Sequence, residues 1–278
     1  MEIQILGSAA AEGIPSIFCE CDTCREAWKR GGKDIRGRTA YKLSDTVRVD
    51  FGPDSLWQEY RFALHSERLR HLILTHGHED HLYSPLLEYR RPGFAAVPAD
   101  RVLTLYAHAG VFDVIRNALG EHLPGCRLDF VGLDCFVPRE VPEEDMTIHP
   151  LAADHGADVF PLIYVIRRGG KHILIGNDTG YFPEATWDYL AAAQVKLDLV
   201  ILDCTSGQLY PDADRNHMGI NTVVKVRDRL AEIGSVSAAT TVVANHFSHN
   251  GHMLHEDFER FFQPRGIEVG FDGRIIEL

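Results

Sequence analysis

The chain has 278 residues, 45% of them hydrophobic, enough to bury a sizeable core, and a formal net charge of −12 with a pI near 5.6. That balance argues against extended nucleic acid or anionic lipid as partners, because both are held mainly through Lys and Arg. No apolar run reaches the roughly 20 residues of a membrane span, and Met1-Glu2-Ile3-Gln4-Ile5-Leu6 has no basic start, so a cytoplasmic location is expected.

Glu2 to Ser8 alternates as a strand and runs into Gly7-Ser8-Ala9-Ala10-Ala11-Glu12-Gly13-Ile14-Pro15, a small-residue loop suited to close backbone approach. Three of the six cysteines follow within Cys19-Glu20-Cys21-Asp22-Thr23-Cys24. In a reducing compartment such a cluster reads as metal ligands rather than disulfides, whereas Cys126, Cys135 and Cys204, scattered singly, read as small core residues. Arg25 to Arg30 predicts a short helix stopped by Gly31-Gly32, and Thr46 to Phe51 a strand broken by Gly52-Pro53. Leu69 to Thr75 reads as a buried strand, with a helix expected from about Ser84-Pro85.

The second half repeats this grammar. Val102 to Ala107 is a strand, Val111 to Leu119 has helical spacing, and Thr147 to Leu151 is strand-like. Phe160 to Arg167 and Lys171 to Gly176 form a hairpin about Arg168-Gly169-Gly170. Helices are expected over Pro183 to Ala193 and Ile220 to Ile233, strands over Leu197 to Leu202 and Thr240 to Ala244, and alternation over Ile267 to Leu278 about Asp272-Gly273. Hairpins mixed with helices point to the α+β class, with two packed sheets and helices outside, an αββα sandwich. No repeat, low-complexity tract or long linker marks a boundary, so residues 1–278 are expected to form one domain.

Histidine is the unusual entry in the composition, at 15 residues. The strand ending at Thr75 delivers His76-Gly77-His78-Glu79-Asp80-His81 to a loop at its carboxyl end, where several donors can turn inward from one tight turn, as a metal site requires. Four donors in one loop cannot close two sites, so further His or Asp must come from other strand ends. His155, Asp178 and His246 each follow an apolar strand and are the candidates.

With those residues in view, the sequence resembles the metallo-β-lactamase superfamily over nearly its whole length. That family binds metal through H-x-H-x-D-H and then a His, an Asp and a His further along, matching His76, His78, Asp80, His81, His155, Asp178 and His246. The resemblance implies one ion on His76, His78 and His155, a second on Asp80, His81 and His246, and Asp178 bridging them. Asp50 looks like the family's supporting acid rather than a ligand. Two ions about 3.5 to 4 Å apart activate a shared water and clamp the attacked oxygen; zinc and manganese both suit the donor set.

Cys19, Cys21 and Cys24 offer three thiolates to one ion and need a fourth donor for a closed tetrahedron. His249 is the leading candidate, three residues after His246. This pairing of C-x-C-x-x-C with H-x-x-H is similar to PhnP-type cyclic phosphodiesterases, a resemblance that implies a structural zinc on Cys19, Cys21, Cys24 and His249. It also suggests that His217, in Arg215-Asn216-His217-Met218, contacts the phosphate or protonates the departing oxygen; a capping or packing histidine is the alternative. Asp203, at a strand end, reads either as a partner of a metal-bound histidine or as a buried structural aspartate.

The expected function is that of a dinuclear-metal hydrolase acting on a small phosphodiester, cyclic ones included, with Asp80 and His217 as catalytic residues. The stretch from Gly7 to Cys24 is similar to PqqB-type proteins as well, giving a second reading as an accessory or carrier protein of quinone cofactor synthesis. Thioester or lactone hydrolysis stays open within the same family, as does a homodimer.

Overall fold

The computed structural model describes residues 1–278. In chain order the regular elements are β1 (Glu2–Gly7), α1 (Asp22–Arg30), β2 (Ala40–Lys42), β3 (Val47–Val49), α2 (Ser55–Phe62), β4 (His71–Ile73), β5 (Leu103–Ala107), α3 (Ala109–Leu119), β6 (Leu128–Gly132) and β7 (Arg139–Val141). They continue with β8 (Met146–Ala152), β9 (Leu162–Arg168), β10 (Lys171–Gly176), α4 (Glu184–Ala193), β11 (Leu199–Asp203), α5 (Ile220–Glu232), β12 (Thr241–Asn245), α6 (His255–Phe262), β13 (Glu268–Val269) and β14 (Ile275–Glu277). The strands form two seven-stranded sheets, ordered β14-β1-β2-β3-β4-β5-β6 and β13-β12-β11-β10-β9-β8-β7.

Side-chain alternation assigns each strand two faces. Along β11, Leu199 and Ile201 enter the core between the sheets, while Val200 and Leu202 pack outward beneath α4, α5 and α6. The outer face of the first sheet is covered by α3, whose Val111, Phe112, Ile115 and Leu119 pack on Leu72, Leu74, Leu103 and Leu105. Sheets buried on both faces, with helices outside, make the αββα sandwich expected from the sequence.

The elements differ from the sequence reading in informative places. Ser84 to Arg90 is a tight 3-10 turn, not an α-helix. The closing segment does turn at Asp272-Gly273, but its halves join different sheets: β13 runs parallel to β12, and β14 antiparallel to β1. The helices α2 and α6 escaped notice because each spans only eight residues, too few for a period to stand out. Of the lone cysteines, Cys126 and Cys204 are buried as expected, but Cys135 is exposed.

Direction matters most for function. In the first sheet β3 to β6 run parallel, and in the second β10, β11 and β12 run parallel to one another while β9 reverses between β8 and β10. The carboxyl ends of β3, β4, β8, β10, β11 and β12 therefore meet at one edge of the sandwich. There the amide of Phe51 donates to the carbonyl of His81, and a Cβ placed on Gly52 would collide with the carbonyl oxygen of Asp80. Gly52→Ala is accordingly expected to cost about 1–3 kcal/mol through overpacking and to lower the melting temperature by several degrees. A thermal melt matching that of the parent would show that the loop yields freely.

Candidate metal centre

Each of the six strand ends brings one or more polar side chains to the shared edge. Asp50 follows β3, the run from His76 to His81 follows β4, His155 follows β8, Asp178 follows β10, Asp203 closes β11 and His246 follows β12. Asp50, Asp178 and His246 all have positive φ, at 64°, 49° and 58°. That region is unfavourable for residues with a Cβ and is retained where the surroundings over-determine it, as at functional sites. A cross-sheet pin helps hold two of these turns: the buried hydroxyl of Tyr41 accepts from the side-chain amides of Asn177 and Asn245, the residues just before Asp178 and His246.

The donors fall into adjoining groups. His76 Nε2 lies 2.9 Å from His78 Nδ1, which lies 3.2 Å from His155 Nε2. Beside them, His81 Nε2 is 3.3 Å from His246 Nε2 and 3.1 Å from Asp80. Asp178 sits between the groups, with Oδ2 2.8 Å from both His81 Nε2 and His246 Nε2 and Oδ1 3.8 Å from His155 Nε2. Nitrogens bound tetrahedrally at roughly 2.0–2.1 Å stand about 3.4 Å apart, close to these separations.

Two observations show that this cluster fits metal ions. Asp178 Oδ2 is buried and has no hydrogen-bond partner although two ring nitrogens lie 2.8 Å away, an orphaned anionic oxygen of the kind a cation would satisfy. Each of four histidines also spends its other nitrogen on a backing partner: His76 on Thr75 Oγ1, His81 on Asp50, His155 on the carbonyl of Asn216, and His246 on Thr205 Oγ1. Such backing fixes the tautomer and turns the free nitrogen inward.

Electrostatics agree with the geometry. Burial lowers the pKa of His246, but Asp178 and Asp203 outweigh it and raise it to about 10. His81 is likewise held well above the usual histidine value, since Asp80, Asp178 and Asp50 overcome the cost of burial. Burial, then the charge on His81, drives His76 well below it. The site is built to hold positive charge, which a divalent cation supplies in place of protons.

Asp203 belongs to the supporting set. Its Oδ1 accepts from the amides of Thr205 and Met218, and its Oδ2 accepts from Thr205 Oγ1 and the amide of Asp178. The same Oδ2 lies 3.1 Å from His217 Nδ1 and 3.3 Å from His246 Nδ1. His217 lines a cleft of about 490 Å³ together with Glu12, Arg38, His78, Asp80, Tyr83, His155, Asp178 and His246. Burial lowers the His217 pKa, yet the Asp203 carboxylate more than offsets this and raises it. Asp50 accepts from the amide and hydroxyl of Thr75 and lies 2.7 Å from His81 Nδ1, which makes it an orienting group for the loop.

A second cluster lies beside the cleft. Cys19 and Cys21 place their Sγ atoms 3.6 and 3.5 Å from His249 Nδ1, and Cys24 completes the group. Bonds of roughly 2.3 Å to sulfur and 2.0–2.1 Å to nitrogen in a tetrahedron set S and N about 3.6 Å apart. Burial raises the Cys21 thiol, but the Cys24 amide at the start of α1, with His249, outweighs it and brings it down to about 6; burial pushes Cys24 up to about 12. Glu12 joins the two clusters: its Oε1 accepts from Ser248 Oγ and lies 3.7 Å from His249 Nε2, while the residue lines the cleft. Nothing local in the sequence marks Glu12, Tyr41 or Thr205, each of which has a partner in a distant segment.

Fold and donor set together define the class. The beta-lactamase superfamily domain matches residues 45–247, and the chain belongs to that superfamily, in its metallo-β-lactamase αββα form. Among individual proteins, coenzyme PQQ synthesis protein B of Methylorubrum extorquens is 27% identical over 321 aligned positions, covering 100% of both chains. A diphosphatase of the PhnP family superposes with a TM-score of 0.77 at 22% identity, covering 100% of this chain and 97% of that one. Zn(2+)-bound PqqB from Methylobacterium extorquens superposes with a TM-score of 0.78 at 19% identity, covering 100% of each. No helix is long and apolar enough to cross a membrane.

Proposed function

We propose that the chain is a dinuclear-metal phosphodiesterase for small substrates. The observation that carries this reading is the adjacency of two donor groups, His76/His78/His155 and Asp80/His81/His246, with Asp178 between them and an open cleft above. A pair of divalent ions bound there supplies an activated water and charge stabilisation for the attacked phosphorus. The donors are nitrogen and oxygen only, a set that suits zinc or manganese. The likeness to a PhnP-family diphosphatase supports phosphoryl chemistry, and a cleft of about 490 Å³ falls in the range usual for small-molecule pockets.

Within the cleft, Asp203 lies 3.1 Å from His217 Nδ1 and raises its pKa against the effect of burial, which favours the protonated ring as a donor to the departing oxygen. The test follows from that role. Proton donation contributes roughly 10²- to 10⁴-fold when the leaving oxygen is basic and little when it is a nitrophenolate. His217→Ala is therefore expected to keep its metals and much of its rate on bis(p-nitrophenyl) phosphate while losing far more on an alkyl or cyclic sugar phosphate. Equal losses on both would assign His217 to phosphate binding, and no loss on either would return it to packing.

The full-length likeness to coenzyme PQQ synthesis protein B favours a second reading, an accessory or carrier role in cofactor synthesis. Metal-loaded protein that turns over no member of a panel of cyclic and linear phosphodiesters would decide for this reading. Turnover confined to lactones or thioesters would move the chain to those hydrolases.

A further inference from the structure

A second cavity, of about 580 Å³, opens on the far side of the first sheet and shares no lining residue with the metal cleft. Its apolar wall includes Phe51, Leu69, Leu86, Leu87, Val97 and Leu103. Three arginines stand on the same lining: Arg70, Arg90 and Arg101. Their hydrogen bonds go only to neutral backbone carbonyls: Arg70 to Arg68 and Leu69, Arg90 to Cys126 and Arg101, and Arg101 to Glu67. The one carboxylate on the lining, Glu67, is engaged instead by His65 and Arg68. In a chain with a net charge of −12, three guanidiniums without an acidic partner around an apolar chamber form a local reversal of charge.

We infer that this cavity is a binding site for an amphipathic anion, an apolar chain or ring ending in a single acidic group. The volume falls within the roughly 300–1,000 Å³ usual for small-molecule pockets. The apolar wall gains from covering the ligand's body. The guanidiniums, weakly hydrated and holding spare N–H donors, meet its head in the charge-assisted geometry that carboxylates favour. A neutral ligand leaves the charges unanswered, and a cation is repelled.

Decanoate is the probe, with decan-1-ol as its neutral counterpart, titrated calorimetrically into the metal-loaded protein. The expected result is saturable binding of one decanoate, about tenfold or more tighter than decanol, the difference that one charge-assisted contact supplies. Arg70→Gln combined with Arg101→Gln is expected to remove that preference and leave decanol binding and metal content unchanged. Should the double variant fail to fold, Leu86→Glu sets a carboxylate in the wall while sparing the arginine–carbonyl bonds, and is expected to weaken decanoate by the same factor. Decanoate held by active-site metal instead would be lost in Asp178→Ala, whereas binding in this cavity survives that change. No saturable binding up to about 1 mM, equal affinities for acid and alcohol, decanoate affinity unaltered in the arginine or Leu86 variant, or loss of binding in Asp178→Ala would each overturn the inference.

Discussion

Asp178→Ala is expected to lower phosphodiester turnover by about 10³-fold or more and to leave less than the full complement of active-site metal. Its carboxylate reaches both donor groups, with Oδ2 2.8 Å from His81 Nε2 and from His246 Nε2 and Oδ1 3.8 Å from His155 Nε2. Burial raises the pKa of this carboxyl, but His246 and His81 outweigh it and hold it well below the usual carboxylate range, so the group is an anion in the folded protein. Alanine removes that charge from between two imidazoles whose nitrogens stand 3.3 Å apart. Asp178→Asn separates charge from shape: it keeps the volume and one acceptor, and is expected to bind metal better than alanine yet remain strongly impaired. Elemental analysis beside kcat on bis(p-nitrophenyl) phosphate is the measurement. Full occupancy with parental kcat in Asp178→Ala would remove the dinuclear assignment.

Cys21→Ser is expected to release one zinc per chain and to lower the melting temperature by about 10 °C. Cys19 and His249 are 230 positions apart, so an ion held between them closes a long loop. A cross-link of that span contributes about 4 kcal/mol or more in a chain-entropy account, and a chain of this size shifts its melting temperature by about 2–4 °C per kcal/mol. Chelation should separate the populations: ions at the open cleft leave first, and the ion enclosed by three thiolates and a histidine stays. Unaltered zinc content and thermal stability in Cys21→Ser would mean that the four side chains form no metal site.

Legibility from sequence divides along a physical line. The strand Leu199–Asp203 was readable because its apolar run is bounded by polar residues, and the loop from His76 to His81 because six adjacent positions carry its donors. From the residues alone His155, Asp178 and His246 were readable only as strand ends, and their division between two ions came from the family resemblance, since nothing in one segment says which other segment it will face. Asp50 was legible as a supporting acid through the resemblance, but the backing of histidines by Thr75, Thr205 and the carbonyl of Asn216 was hidden, because hydroxyls and backbone carbonyls occur everywhere and only the fold selects which of them matters. Ser84–Arg90 was misread because Pro85 starts α and 3-10 turns alike, and the choice is made by packing. The arginine-lined cavity left no pattern at all, its three guanidiniums being drawn from positions 70, 90 and 101.

The pairing of first strand with last has a consequence for biosynthesis. Ile3 lies opposite Ile276 in the sheet, and the cysteines near residue 20 find their histidine at residue 249. At ribosomal rates of about 5–20 residues per second, the interval between Cys19 and His249 lasts roughly 10–50 s. Throughout that time the three thiols are on a chain that lacks the histidine they meet in the finished fold. An ion on those four side chains would accordingly be enclosed only once the late strands arrive, after most of the chain has been made.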